Sequence, residues 1–554
     1  MKKHFLWLGV QWLFFLLLCA SRSAFPLYAQ SSSDANFLVS LGQLRDASFD
    51  DKEKIIDQLA QSGHPSVRAV LTAFVEDRLY YRNQDQKIFI AKPGAEDAPT
   101  LNLLDPITLK TAGSASSDDL SRILANNHLR RVLQTTLARY GLSSPDASIR
   151  LESVQDMEKD LDEENVQLLR QRISVETDPA VKKEIASALA LDSLGSSDAQ
   201  ARLAAVSTLR GSLRQDVLNK LEAMTEKSPD GSFVEVNEQV RQAAAAAAKS
   251  ITRRRAFYSG IETLFFGLSL GSVLVLIAIG LAITFGVMGV INMAHGELMM
   301  IGAYTTYVVQ VAMPGHGETS ILVAIPAAFL VAALIGILIE RTIIRFLYGR
   351  PLETLLATFG VSLILQQLVR SIFTALNRSV ETPAWMSGTL QLNDALSITY
   401  NRLYIVIFTL LVFAALLVVL KYTRMGLEIR AVSQNRAMAK AMGIRSEWVD
   451  AMTFGLGSGI AGLAGVALSQ LTNVNPNLGQ SYIIDSFLVV VFGGVGNLWG
   501  SMTGGMSMGI VNELLEPYAG AVLAKIFVLI ALILFIQVRP RGLFPPTGRA
   551  SENQ

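Results

Sequence analysis

The sequence predicts an all-α protein in two parts: an exported, mainly helical domain with a small β insertion, then a polytopic bundle of about eight or nine membrane spans, some of them broken. Three observations predict it. Residues 30–255 are rich in Asp, Glu, Arg, Lys, Gln and Ser, whereas 260–540 are a series of apolar runs of about 17–25 residues, the length that crosses a bilayer as helix. Within the first part, apolar residues recur at three- and four-residue spacing, as on amphipathic helices. Within the second, the stretch Ile279 to Tyr304 is apolar except for a polar knot, Asn292, His295 and Glu297, after which it turns apolar again without an ordinary loop. A charged side chain at mid-bilayer costs roughly 2.5–3.5 kcal/mol, so such groups face protein or a water-lined path, and broken helices are tolerated on the same condition. The knot points to a transport pathway rather than a catalytic cleft.

The formal net charge of +1 comes with no Lys/Arg stripe interleaved with stacking aromatics, which excludes nucleic acid as a partner. At the start of the chain, Lys2 and Lys3, an apolar run from Phe5 to Leu18 and small or polar residues up to Tyr28-Ala29-Gln30 follow the order of a secretory signal, residues 1–29, with cleavage near Ala29. An uncleaved anchor helix is the alternative. Cys19 is the only cysteine, so the mature chain is expected to hold no disulfide, no thiolate metal site and no metal of its own.

In the exported domain, residues 30–255, a short pattern recurs: His64-Pro-Ser-Val-Arg68, Asp146-Ala-Ser-Ile-Arg150, Asp178-Pro-Ala-Val-Lys182, Asp198-Ala-Gln-Ala-Arg202 and Asn237-Glu-Gln-Val-Arg241. Each is expected to begin a helix, the Asp or Asn capping free N–H groups and Pro65 or Pro179 fitting the first turn. The pattern resembles HEAT-type repeats, with irregular spacing. Lys87 to Ala91 and Thr100 to Leu104 flank Pro93-Gly94 as a β-hairpin would. His64 and His128 are expected on helix surfaces, and the domain, lacking a catalytic set, is expected to hold a partner. The Ala243–Ala248 run then leads through Arg253-Arg254-Arg255 to the first span.

Apolar spans fall at about 261–289, 295–312, 321–341, 352–374, 403–420, 450–471, 481–497, 500–514 and 521–538 of the membrane part, residues 256–545. Basic residues cluster at Arg341, Arg345 and Arg350, then densely from Lys421 to Arg445, and again at Arg539, Arg541 and Arg549, while 312–320 and 472–482 have none. With the three clusters cytoplasmic, the spans supply the required even number of crossings between them, and residue 260 lies on the far side, where a signal would deliver residues 30–255. Glycines are dense in the spans, chiefly for close packing. Gly493-Gly494-Val495-Gly496-Asn497-Leu498-Trp499-Gly500 is expected to be a break or re-entrant turn. The chain has no phosphate-cradling Gly-x-x-x-x-Gly-Lys-Ser/Thr sequence. Met425–Gly443 reads as one amphipathic helix with Leu427, Ala431, Ala437, Ala441 and Met442 on its apolar face and Gly443 as its stop, a shape that docks on a partner.

Three stretches carry a family resemblance: Ile283–Tyr304, Met425–Ile444, and Asn475–Gly500 with its wording NPNLGQSYIIDSF. They resemble the permease subunits of ABC importers for branched-chain amino acids and urea, over nearly all of 260–545. The signal, the long exported domain and the NLGQSYIIDSF wording are most similar to the urea permease, although no side chain identifies urea. Many amino-acid permeases have Gly-Gly-x-Gly-Ser where this chain has Gly493-Gly494-Val495-Gly496-Asn497. The resemblance implies a passive pore of the inner membrane without a cofactor. It implies separate cytoplasmic ATP-binding subunits, a second related permease and a periplasmic solute-binding protein as partners. It makes 425–443 the coupling helix, with Gly426, Arg430, Ala431, Asn435, Ala439, Met442 and Gly443 meeting the ATPase.

For the solute path the candidates are Asn292, His295, Glu297 and Asn497, with Asn473 and Asn475 near the outer mouth. Amide and carboxylate groups can replace the water of a neutral solute such as urea. Alternatively Asn292 and His295 only bond the backbone groups freed at the broken helix. Two competing functions are a branched-chain amino acid permease and a membrane-anchored scaffold, the latter having no use for the docking helix. A hydrolase using His295 and Glu297 is disfavoured, because residues two apart on a helix point about 200° apart and no nucleophile is adjacent.

Overall fold

The computed structural model describes residues 26–92, 100–229 and 231–544, with side chains from residue 34 onward. The signal segment but for its last four residues, Cys19, and the Pro93-Gly94 turn lie outside the described residues. The chain divides into two compact units, Met1–Ile251 and Thr252–Gln554.

The first unit opens with α1 (Pro26–Gln43), α2 (Phe49–Gln61) and α3 (Val67–Val75), followed by β1 (Leu79–Arg82), β2 (Ile88–Ala91), β3 (Thr100–Leu104), β4 (Thr111–Ser116) and β5 (Leu120–Arg122). The expected hairpin is present, with Ile90 opposite Leu104 and Ala91 opposite Leu103, but it is the centre of a five-stranded antiparallel sheet of order β4-β3-β2-β1-β5. Strand β2 is buried on both faces: Ile88 and Ile90 join the helical core with Phe37, Leu71 and Phe74, while Phe89 and Ala91 pack with Tyr80, Leu101 and Leu103.

Helices α4 (Asn127–Gly141), α5 (Ala147–Met157), α6 (Glu163–Val175), α7 (Pro179–Ser193), α8 (Ala199–Leu209) and α9 (Gln215–Ala223) follow. Asp146, Asp178 and Asp198 cap α5, α7 and α8 with their carboxylates, and Pro179 sits in the first turn. The Asn237 side chain accepts from the N–H groups of Gln239 and Val240 at the next helix start. The pattern's basic residue has a second use. Arg150 forms a two-pronged pair with Glu176 (2.9 and 2.8 Å) and Arg202 does the same with Glu235 (2.7 and 2.8 Å). Each glutamate sits two residues before the next cap, so the arginine ties one helix start to another. His64 departs from the pattern. It is buried, stacks on Phe37 at 4.3 Å and accepts at Nδ1 from the Ser66 N–H, so Pro65 precedes α3 instead of entering it.

The second unit contains the apolar part of α10 (Glu238–Met288), then α11 (His295–Ala312), α12 (Gly317–Thr342), α13 (Pro351–Phe373), a hairpin β6 (Thr389–Asn393) and β7 (Leu396–Thr399), α14 (Tyr400–Tyr422), α15 (Arg424–Gln434), α16 (Arg436–Ala441), α17 (Ser446–Ser469), α18 (Leu478–Gly493) and α19 (Leu498–Val538). A helix stands at each of the nine expected spans, but among the described residues only six helices are long and apolar enough to cross a membrane. Helices α11 and α18 fall outside that set, and α18 is a short apolar helix of 16 residues. The ninth span is merged into α19, which breaks at Gly520 (φ 74°). Gly493 abuts Gly500, so α19 starts antiparallel to α18, whereas Lys525 pairs with Asp485 and Phe535 packs on Phe492, so after Gly520 it runs parallel to α18. The chain therefore reverses at Gly520, as the two separate runs in the sequence require.

Helix α17 is the centre of the bundle: its apolar stretch is 89% buried against 28% or less for α12, α13, α14 and α19. Its glycines let neighbours approach to backbone contact. A Cβ on Gly302 would strike the Gly462 carbonyl oxygen and one on Gly465 would strike the Met299 carbonyl oxygen, which fixes the α11–α17 crossing to glycine on both sides. The Gly493–Gly500 stretch is a break as expected: Gly494 and Gly496 have φ of 101° and 76°, and Asn497 caps α19.

Candidate functional site

The polar knot lies where α10 ends and α11 begins. Gly289 (φ 67°) stops α10, and the Asn292 side chain accepts from the Ala294 N–H at 3.0 Å. His295 Nε2 donates to the Ile277 carbonyl at 3.0 Å, so α11 starts beside a residue 11 positions before the end of α10, about 16 Å back along that helix. Glu297 accepts from Ser362 Oγ on α13 at 3.0 Å. All three side chains are at most 2% exposed. Within the described residues, Asn292 Nδ2, His295 Nδ1 and Glu297 Oε2 have no hydrogen-bond partner.

A second helix start meets this one. Asn475 Oδ1 accepts from the Asn477 N–H at 2.9 Å, repeating the turn made by Asn292, and four residues after each asparagine stands a glycine, Gly296 or Gly479. Those glycines touch. A Cβ on Gly296 would lie 2.4 Å from the Gly479 oxygen, and one on Gly479 would lie 2.5 Å from the Gly296 carbonyl. The N-termini of α11 and α18 thus abut inside the bundle, the arrangement of half-helices that brings N–H dipoles to a buried polar region.

Of the sequence candidates, Asn292, His295 and Glu297 come together and Asn475 joins them through the glycine contact. Asn473 is exposed. Asn497 lies elsewhere: its oxygen accepts from the N–H groups of Trp499 and Gly500, and it borders a cavity of about 770 Å³ shared with Gly286, Leu420, Arg430 and Ser433. Sequence reading missed Ser362, Gln366, Arg370 and Asn477, although the four-residue spacing of the first three was a usable signal. It also missed the ion pair of Asp485 with Lys525 at 3.2 Å, each the lone charge in its apolar run. His295 turns to α10 and Glu297 to α13, so the two share no reacting centre. Among the described residues no three His, Cys, Asp or Glu side chains converge as metal ligands.

The expected single helix over 425–443 is two helices. Asn435 leaves helical geometry (φ −155°) and caps α16, its side chain accepting from the Met438 N–H at 3.0 Å, because asparagine serves better as a cap than in a helix interior. Gly426, Ile429, Val432 and Ala439 are buried, and the last three share a cluster with Val449, so Gly426 and Ala439 are turned to their own bundle. Ala431 is half-buried, while Leu427, Ala437, Met438, Ala441 and Met442 are exposed, with Arg430 and Asn435 beside them. Arg436 clasps Asp450 of α17 through two bonds of 2.7 Å and lies 4.1 Å from the centre of the Tyr348 ring. Gly443 (φ 88°) ends α16: its N–H bonds the Lys440 carbonyl and that of Ile444 bonds the Ala439 carbonyl, both at 3.0 Å.

Residues 263–537 match the family model described as branched-chain amino acid transport system / permease component. The high-affinity branched-chain amino acid transport system permease protein LivH of Salmonella typhimurium is 33% identical over 294 residues, 51% of this chain and 94% of LivH. The corresponding BraD of Pseudomonas aeruginosa is 31% identical over 295 residues, 52% of this chain and 96% of BraD. The ribose import permease protein RbsC of Escherichia coli is 25% identical over 289 residues, 50% of this chain and 85% of RbsC. No solved structure matches the chain. With its apolar helices and a relative matched almost end to end, the chain is a multi-pass membrane protein that belongs to the permease family of branched-chain amino acid transport systems.

Proposed function

We propose that this chain is the permease subunit of an ABC importer in the bacterial inner membrane, that it carries urea, and that separate cytoplasmic ATP-binding subunits drive it. The observation that carries the reading is the α15–α16 pair. It exposes Leu427, Met438 and Met442 at 61%, 61% and 78% while its other face is fastened to the bundle by Arg436 and Asp450. An apolar surface on a rigidly backed helix pair fits a groove on a partner, and a pull on it reaches α17, the most buried helix of the unit. A scaffold would need no such lever. A second permease subunit and a periplasmic solute-binding protein complete the proposed importer.

Urea is favoured by the wording of Asn475–Phe487 and by the additional first unit. The family match begins at residue 263, and relatives matched over 94% of their length leave the helical domain before it without a counterpart. We assign that domain, HEAT-like in its arginine-tied helix starts, to the periplasm behind a signal segment. The names of LivH and BraD favour the second reading, a branched-chain amino acid as solute. Uptake of labelled urea and labelled leucine by a deletion strain, with and without this gene and its operon partners, separates the readings. Urea uptake restored by the gene supports the first; leucine uptake alone overturns it and leaves the permease assignment intact.

A further inference from the structure

Helix α13 carries a polar residue at every fourth position, Thr354, Thr358, Ser362, Gln366 and Arg370, along about 24 Å of its length. Such a row follows one inclined ridge of a helix. The opposite side is apolar and exposed, with Leu356 at 72%, Ile364 at 66% and Leu368 at 53%. In lipid, polar groups of a span face protein or a water-lined path, so the row marks the inner side of α13.

The row reaches both helix starts of the candidate site. Thr358 Oγ1 accepts from the Met293 N–H at 3.1 Å, and Ser362 donates to Glu297 at 3.0 Å. Gln366 and Arg370 donate to the same Asn477 oxygen at 3.3 and 2.6 Å. Two groups at this seam keep free capacity although they are 2% and 1% exposed: Glu297 Oε2, an acceptor, and Asn292 Nδ2, a donor. Unpaired polar atoms buried among apolar helices are costly, each by about 1–3 kcal/mol, unless something periodically satisfies them.

We infer that the seam between α13 and the starts of α11 and α18 is the solute-recognition site, and that it takes a small solute with an N–H donor for Glu297 and an oxygen acceptor for Asn292. Ser362 is a positioning residue that holds one carboxylate oxygen and leaves the other for the solute. Gln366 and Arg370 hold the α18 start against the same seam. The inference rests on the permease reading and deepens it. It also separates solutes by charge: a neutral ureido group needs only an acceptor at position 297, whereas the ammonium of an α-amino acid needs the negative charge.

The test uses the full importer with Cys19→Ser and single cysteines in place of Thr358, Ser362 or Gln366, set against Leu356 and Ile364 on the apolar side. A small cationic methanethiosulfonate is applied during ATP turnover. The expected result is modification at the three row positions at least 10-fold faster than at Leu356 and Ile364, slowed several-fold by the transported solute. Equal rates on both sides, or no protection by solute, would overturn the inference. In parallel, Glu297→Ala is expected to lower uptake more than 10-fold with unchanged membrane level. Glu297→Gln is expected to keep urea uptake within about 3-fold and to lower uptake of a zwitterion more than 10-fold. If the wild type moves leucine and not urea, the urea reading fails while protection by leucine sustains the site. If uptake is normal in Glu297→Ala, the site fails whichever solute is carried.

Discussion

Replacing Asp450 by Ala releases the clasp that holds α16 to α17, and the structure sets the size of the effect. Arg436 and Asp450 are 25% and 7% exposed and share two bonds of 2.7 Å. Exposed pairs contribute up to about 1 kcal/mol, and breaking a fully buried one costs about 3–5 kcal/mol; a pair this far from solvent, with the Tyr348 ring still beneath the guanidinium, falls at about 2–3 kcal/mol. At about 1.4 kcal/mol per decade, the fraction of time α16 stands away from the bundle rises about 30- to 150-fold. Ala439, 5% exposed, reports it. In a Cys19→Ser background, Ala439→Cys should react with a soluble maleimide faster by that factor once Asp450 is changed. Leu427→Cys, on a position already 61% exposed, should hardly change. An increase below about 3-fold at position 439, equivalent to under about 0.7 kcal/mol, would refute the idea that the ion pair fastens the helix pair.

Gly302→Val should prevent assembly of the bundle, because its Cβ would stand 2.2 Å from the Gly462 oxygen on a backbone that cannot yield; proteolysis of membranes should show fragments, and intact protein at wild-type level would contradict the crossing. Lys525→Ala should strand Asp485, 15% exposed beside a lysine that is 54% exposed, and lower detergent stability by about 1–2 kcal/mol, while Lys525→Met with Asp485→Leu should recover most of it; no recovery would mean that the pair does more than satisfy itself. In the first unit, the Arg150 guanidinium holds the Glu176 carboxyl down from 4.5 to about 2, helped by the N–H groups of Asp178 and Thr177 and by Arg172. The folded value lies below the unfolded one, so this contribution is full above pH 4.5 and is lost as pH falls from there towards about 2. Amide exchange of residues 146–178 should accelerate through that window in the wild type, and Glu176→Gln should exchange fast throughout with a flatter pH response.

The membrane helices were legible because lipid imposes a length and a composition on anything that crosses it. The break after Gly493 was legible because glycines stood between apolar runs, and the reversal at Gly520 because the runs 500–514 and 521–538 read as separate spans. The helix starts at Asp146, Asp178 and Asp198 followed from local capping chemistry, which needs no tertiary information. What escaped depended on partners distant in sequence. The Asn435 break sits inside an unbroken amphipathic pattern, where spacing alone favours one helix. Strand β5 has only three residues, β1 four, and β4, though six residues long, is mostly exposed and made of Thr, Ala, Gly and Ser, so they become strands by pairing more than by their own composition. His64 reads as a surface residue until Phe37 is placed against it. The polar row of α13 was in plain view, but its meaning needed Met293, Glu297 and Asn477, which lie 65 to 111 residues away.

Reconstitution in liposomes with the ATP-binding subunits and the solute-binding protein tests the central claim, that this chain is a conduit worked from α15–α16 by an external motor. The measurement is ATP-driven uptake of labelled solute by the wild type and by Met438→Arg with Met442→Arg, two positions exposed enough to change without disturbing the bundle. The account predicts that the variant inserts normally but loses at least 10-fold in uptake together with retention of the ATP-binding subunits. Uptake at the wild-type rate from correctly inserted variant protein would contradict it.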